Sequence, residues 1–192
     1  NTSGIYVGGD LAYKQGDNYI YCRQGYHQDG FSRFNLTTKA WEQLAPVPQK
    51  VYWGGALVAA GNYIYATGGE NADNNYNHSN NLYQYDPALG TWTTVSNNIY
   101  GSFYEGACLV YPDGSDYIYM LRVNSRSEFM RYKISDGTWE RRANLPDMSV
   151  GYQGKLVYSS TENAIYFLNG HDWDLYRGFC KFNIDANTWQ VL

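Results

Sequence analysis

Apolar and polar residues alternate along this chain in short runs, and no stretch repeats its apolar positions at the three-to-four-residue spacing of a helix. Asn62-Tyr63-Ile64-Tyr65-Ala66 and Asp116-Tyr117-Ile118-Tyr119-Met120 are typical: aromatic and β-branched residues bounded by polar turns, which predict strands. Ile-Tyr pairs recur at Ile20-Tyr21, Ile64-Tyr65, Ile118-Tyr119 and Ile165-Tyr166. Downstream of each pair an aromatic residue precedes a tryptophan by seven positions: Phe34 and Trp41, Tyr85 and Trp92, Tyr132 and Trp139, Phe182 and Trp189. The tryptophans are spaced by 51, 47 and 50 residues, so one supersecondary unit is used four times.

Aligned on tryptophan, each unit reads the same way. A glycine-bearing apolar stretch comes first, as in Tyr6 to Leu11, Tyr52 to Val58, Tyr104 to Val110 and Tyr152 to Val157. Small residues there predict an innermost strand where backbones crowd together. A polar turn and the Ile-Tyr strand follow, then a loop of variable length, a third strand such as Asn81 to Tyr85, and a tight turn into the tryptophan strand. Four short strands per unit predict an all-β fold, a β-propeller of four-stranded antiparallel blades. The blades fall at about 1–45, 46–96, 97–144 and 145–192 of one continuous propeller region spanning 1–192.

Gly68-Gly69 after Tyr65, followed by Tyr85-Asp86-Pro87 and Gly90-Thr91-Trp92, resembles the kelch repeat, whose signature is a hydrophobic strand ending in Gly-Gly and then a separated aromatic and tryptophan. The resemblance covers essentially the whole chain. The glycine pair is reduced to Gln24-Gly25 and Asn169-Gly170 in two units and replaced by Arg122-Val123 in another. Kelch propellers commonly carry six or seven blades, which implies three arrangements for four: part of a larger propeller, self-association or completion by another chain, or closure alone.

Composition narrows the function. A net charge of −4 without a Lys/Arg run argues against nucleic acid, and no segment approaches 18 continuous apolar residues. A chain of 192 residues buries roughly 70% of its unfolded surface, enough for a core without staples. Cys22, Cys108 and Cys180 each fall within a predicted strand and read as small buried thiols. The chain opens at Asn1 with no initiator Met, which suggests a mature product or a piece of something longer. Candidate N-glycosylation sites at Asn1, Asn35 and Asn77 favour an extracellular or cell-surface setting.

The distance from the Ile-Tyr tyrosine to the third-strand aromatic varies as 13, 20, 13 and 16 residues, so variation is concentrated in the loop between the second and third strands. Variable loops on a constant scaffold are where recognition is placed. That face gathers Tyr26, His27, Gln28 and Asp29; Glu70, Asp73, Tyr76 and His78; Arg122, Asn124 and Arg126; and His171, Asp172, Trp173, Asp174, Tyr176 and Arg177. The connections between blades add Gln49, Asn97, Tyr100, Asp147 and Met148. Stacking aromatics with directional polar groups suit a glycan or a protein loop.

His171-Asp172-Trp173-Asp174 offers hard oxygen ligands, but without EF-hand or zinc spacing, and no metal or cofactor is expected. Galactose oxidase shares the kelch propeller, yet no cysteine here lies in a ligand loop. Propeller polysaccharide lyases use His, Tyr and Arg for proton transfer, and His171, Tyr176 and Arg177 have that chemistry. The reading is therefore a noncatalytic binding or assembly module. The alternatives are a portion of a catalytic propeller and a structural subunit of a surface assembly.

Overall fold

The computed structural model describes residues 8–70, 79–97, 107–122, 128–146, 154–170 and 178–192. These residues form strands and turns, with no helix among them. The first sheet holds β1 (Asp10–Tyr13), β2 (Tyr19–Arg23), β3 (Phe31–Asn35) and β4 (Trp41–Gln43). The second holds β5 (Leu57–Ala60), β6 (Tyr63–Thr67), β7 (Leu82–Asp86) and β8 (Thr91–Ser96). The third holds β9 (Cys108–Val110), β10 (Tyr117–Arg122), β11 (Glu128–Lys133) and β12 (Thr138–Arg141). The fourth holds β13 (Lys155–Ser159), β14 (Ala164–Leu168), β15 (Phe179–Asn183) and β16 (Thr188–Val191). Strands in every sheet follow chain order and pair antiparallel, the pattern of a propeller blade. The chain divides into two compact units, Asn1–Phe103 and Tyr104–Leu192, each carrying two blades.

The seven-residue spacing has a direct structural cause. Phe34, Tyr85, Tyr132 and Phe182 lie opposite Trp41, Trp92, Trp139 and Trp189 in the strand register. Their ring centroids are 5.2, 5.1, 5.1 and 5.1 Å apart at interplanar angles of 53, 48, 49 and 49°. The turn between them is equally constant. The residue two before each tryptophan has a left-handed backbone: Lys39 (φ 59°), Gly90 (71°), Gly137 (72°) and Asn187 (55°). Three of these donate their N–H to the carbonyl four residues earlier, at 2.8–3.0 Å. Asn35 and Asp86 accept backbone N–H bonds from the turn through their side chains, which explains an Asx residue there.

Each unit buries a core between its own two blades. In the first, Ala12, Tyr21 and Phe31 meet Leu57, Ile64, Ala66, Tyr83 and Tyr85. In the second, Tyr119, Leu121 and Phe129 meet Leu156, Ile165, Phe167, Cys180 and Phe182. The seams share one design. Phe31 lies edge-on to Tyr85 and Trp92, both at 4.9 Å, and Phe129 lies edge-on to Phe182 and Trp189 at 4.7 and 4.9 Å. A phenylalanine plug thus fills an aromatic–tryptophan notch in each unit. All three cysteines are buried, the Cys108 thiol donates to the Gly154 carbonyl at 2.7 Å, and burial raises the thiol pKa of Cys22 and Cys180.

One expectation is corrected. The glycine-bearing stretches do not begin the first strands: Gly8, Gly9, Gly54, Gly55 and Gly154 all precede them. Backbone crowding is nonetheless their reason. A Cβ on Gly8 would come within 2.7 Å of the Tyr52 carbonyl oxygen, and one on Gly55 would collide with the carbonyl oxygen of Gly8. Gly8 and Gly54 also have φ of 82° and 72°, which strands do not allow.

Candidate binding surface at the loop end of the first unit

In an up-and-down blade the loop between the second and third strands emerges at the same end as the connection to the next blade. In the first unit these two segments are joined. Gln24 N–H reaches the Gly30 carbonyl at 2.8 Å and closes the loop between β2 and β3. Val47 N–H donates to Asp29 O, His27 N–H to Val51 O and Val51 N–H to Gln28 O, at 2.9, 2.9 and 3.2 Å. The next segment is tied in turn: Tyr52 N–H donates to Glu70 O and Glu70 N–H to Trp53 O, both at 2.9 Å.

This lacing holds Tyr26 and His27 in consecutive left-handed conformations, φ 54° and 63°. Non-glycine residues avoid that region because Cβ approaches the following carbonyl, at a cost of about 1–2 kcal/mol each. The strained pair presents an aromatic cluster. Tyr26 and His27 rings are 5.1 Å apart at 80°, Tyr52 lies 5.4 Å from Tyr26 and 4.8 Å from His27, and Trp53 meets Tyr52 at 5.4 Å. Tyr26 is 47% exposed, so its ring is available to a ligand.

The same end of the unit holds a buried polar layer centred on Arg23, the last residue of β2, which is fully buried. Its guanidinium donates to the Thr67 carbonyl at 2.5 Å and to the Gln49 carbonyl at 3.5 Å. Burial lowers its pKa to about 10, with the Asp10 carboxylate opposing that fall. Gln49 bonds the Gly68 carbonyl at 2.8 Å and accepts from Tyr83 Oη at 3.2 Å. Thr67 Oγ1 accepts from Ala56 N–H and donates to Gly54 O, at 2.9 and 3.1 Å. The layer ties β2, β6 and the connecting segment into one hydrogen-bonded floor.

The remaining candidates are distributed as follows. Tyr26, His27, Gln28 and Asp29 lie together, as the loop reading expects, with Asp29 half-buried and engaged through its carbonyl. Gln49 and Glu70 belong to the buried floor. Arg122 ends β10 instead of occupying a loop; it is 4% exposed and ion-paired with Glu128, its cross-strand partner, which Arg141 approaches at 3.7 Å. Tyr76, His78, Arg126, His171, Asp172, Trp173, Asp174, Tyr176 and Arg177 lie outside the described residues, as do Asn1, Asn77, Asp73, Tyr100, Asn124, Asp147 and Met148. Asn97, the last described residue of its segment, is exposed. Asn35 is half-buried in the β3–β4 turn.

Sequence reasoning missed Tyr52, Trp53 and Arg23. The first two were assigned to a strand, and Arg23 sits at the end of a hydrophobic run where nothing marks it as buried. The signal available for Tyr52 and Trp53 was the Gly54-Gly55 pair, which ends the connection before β5. Among the described residues no group of three or more His, Cys, Asp or Glu is arranged to hold a metal. The surface offers ring faces, a histidine and backbone groups: chemistry for stacking and hydrogen bonding. At the opposite end of the same unit an open cavity of about 380 Å³ is lined by Lys14, Asp17, Asn62, Tyr63 and Asp86 among others.

Comparison with known proteins agrees with this architecture. The model of the Kelch motif matches residues 54–98. Kelch-like protein terF of Aspergillus terreus is 24% identical over 172 residues, covering 82% of this chain and 36% of its own length. Kelch-like protein 21 of Danio rerio is 31% identical over 87 residues, 43% of this chain and 14% of that protein. The chain therefore spans about a third or less of the curated relatives it matches. The solved structure of YjhT superposes with a TM-score of 0.77 at 13% identity, covering all of this chain and 66% of that one. No described helix is long and apolar enough to cross a membrane. The chain thus carries a match to the Kelch motif at residues 54–98, resembles kelch-like proteins over most of its length, and shares the β-propeller fold of the solved structure.

Proposed function

We propose that this chain is a noncatalytic binding module that recognises a protein segment at the loop end of its blades, with Tyr26, His27 and Tyr52 forming the contact surface of the first unit. The observation that carries this reading is the left-handed pair at Tyr26 and His27. Glycine would remove that strain, so aromatic residues held there are better explained by what they contact than by the fold. Tyrosine supplies a large rigid surface with a polar tip, which is what a protein partner's side chains dock against. Kelch-type relatives support a protein-binding role for the scaffold. The loop residues Tyr76, His78, Arg126 and His171 to Arg177 extend the proposal to the other blades.

The proposal includes an extracellular or cell-surface setting, supported by the three sequons. At Asn35 the turn uses side-chain Oδ1, leaving the linkage chemistry of Nδ2 compatible with the fold. Mass spectrometry of the native protein tests it; an unmodified Asn35 alongside unmodified Asn1 and Asn77 removes the support.

Peptide-display selection against the immobilised chain, run beside a glycan array, tests the binding surface. Binders should weaken by about tenfold or more on Tyr26→Ala and on Tyr52→Ala, and be unchanged on Lys14→Ala at the opposite end. Binding that survives both aromatic substitutions places recognition elsewhere. Glycan binding lost in the same variants, with no peptide hits, would keep the surface and replace the protein partner by a carbohydrate.

A further inference from the structure

The cavity at the end of the first unit opposite the binding surface is built from three turns: β1–β2 of the first blade, and β5–β6 and β7–β8 of the second. Its lining brings three charged, half-buried residues, Lys14, Asp17 and Asp86, beside the carboxamide of Asn62, the ring of Tyr63 and the buried Ile64. Elsewhere in the chain opposite charges cancel in ion pairs, as Arg33–Glu42, Arg131–Glu140 and Lys181–Glu162 do at 2.7–2.8 Å. Here each charge is held by a neutral partner. Lys14 Nζ reaches across the seam to Asn62 Oδ1 at 3.2 Å, and Asp17 Oδ2 accepts the Tyr21 hydroxyl at 3.3 Å. Asp86 Oδ1 accepts N–H bonds from Ala88 and Leu89 at 2.8 and 3.2 Å. The three charges are positioned without being neutralised.

The blade itself does not require them. At equal offsets from the Ile-Tyr pairs and the tryptophans, the second unit carries Pro112 for Lys14, Ser115 for Asp17, Ala164 for Tyr63 and Asn183 for Asp86. Asn35 and Asn183 serve their turns as Asp86 does, accepting backbone N–H bonds through Oδ1. A carboxylate at that position adds charge to the cavity and no new bond to the turn.

We infer that this cavity binds a free basic amino acid, its carboxylate meeting Lys14 while its α-ammonium and side-chain cation meet Asp17 and Asp86. Two carboxylates and one ammonium are complemented in full by two positive groups and one negative, the charge pattern of lysine or arginine near pH 7. A neutral amino acid leaves one carboxylate without a partner, and a diamine leaves Lys14 without one. Tyr63 and Ile64 offer apolar surface to the ligand's aliphatic stem. The volume of about 380 Å³ falls within the range of about 300–1,000 Å³ usual for small-molecule sites. The site is independent of the binding surface formed by Tyr26, His27 and Tyr52, which lies at the other end of the unit.

Isothermal titration calorimetry of the 192-residue chain with L-lysine and L-arginine at low ionic strength tests this. Each should bind at one site per chain, with norleucine and 1,5-diaminopentane weaker by about tenfold or more. Asp86→Asn places the residue native to this position in the first and fourth blades, so the turn is kept while lysine binding weakens about tenfold. Lys14→Gln should weaken lysine to a similar degree and leave 1,5-diaminopentane no weaker. Tyr26→Ala should leave lysine binding unchanged, which separates this site from the loop-end surface. No saturable binding of either amino acid overturns the inference, as does a lysine affinity that is the same in Asp86→Asn and Lys14→Gln as in the wild type. Norleucine or 1,5-diaminopentane binding as tightly as lysine overturns the three-charge assignment.

Discussion

Trp189 donates its indole N–H to the Ala143 carbonyl oxygen at 2.9 Å, reaching across the seam to the segment that leaves the preceding blade. Trp92 repeats the bond to Ala45 at 3.0 Å, and both acceptors lie four residues beyond the preceding blade's tryptophan. Tryptophan therefore does two things that another aromatic cannot combine: it forms the notch wall and caps the connection. Trp189→Phe and Trp92→Phe should each cost about 1–2 kcal/mol through the lost bond and a poorly satisfied carbonyl. Trp41→Phe should cost less than either, since Trp41 is 47% exposed. Urea unfolding of the three variants checks the ranking.

The left-handed position before each tryptophan gives a second prediction. Lys39 holds φ 59° in an exposed turn where two other blades have glycine. Lys39→Gly should stabilise the chain by about 0.5–1 kcal/mol, because it removes the steric conflict of Cβ with the following carbonyl. Gly137→Ala should cost about 1 kcal/mol, all of it from the backbone, since a Cβ there has its nearest neighbour, Tyr132 Oη, at 3.5 Å. Thermal unfolding of the two variants should move in opposite directions.

Alkaline stability follows from the buried tyrosines. Burial, with the Asp17 carboxylate beside it, pushes Tyr21 up to about 12, and burial also raises Tyr83, Tyr85 and Tyr132. These folded-state groups hold their protons more tightly than an unfolded tyrosine near pH 10. Their contribution is intact below about pH 10 and is lost as pH climbs through the raised values. Arg23, lowered to about 10, acts in the opposite direction over the same range. With four raised tyrosines set against one lowered arginine, the urea midpoint is expected to fall above about pH 10. Tyr21→Phe should make that fall shallower, and an unchanged slope would contradict the assignment.

The blade was legible because its defining contacts use the same side chains at fixed offsets. Phe182 and Trp189 are cross-strand neighbours joined by a constant turn, so their geometry was already present as a spacing. The first-strand glycines were misplaced because close backbone approach and positive φ leave the same residue signature as a crowded strand. The loop end was half legible. Tyr26 and His27 stand out in a variable loop, but Tyr52 joins them only through the pairing of Gln28 with Val51, a contact without local signature. Arg122 looked like a loop cation, yet its cross-strand partner Glu128 keeps it within the sheet.

Hydrogen–deuterium exchange, with and without a peptide selected against the chain, is the most direct measurement of where recognition occurs. Added protection is expected in residues 24–30 and 49–54, the two segments that carry Tyr26, His27 and Tyr52, with the turns at 14–18 and 36–40 unchanged. Protection confined to those turns, or spread over the cavity lined by Lys14, Asn62 and Asp86, would contradict it.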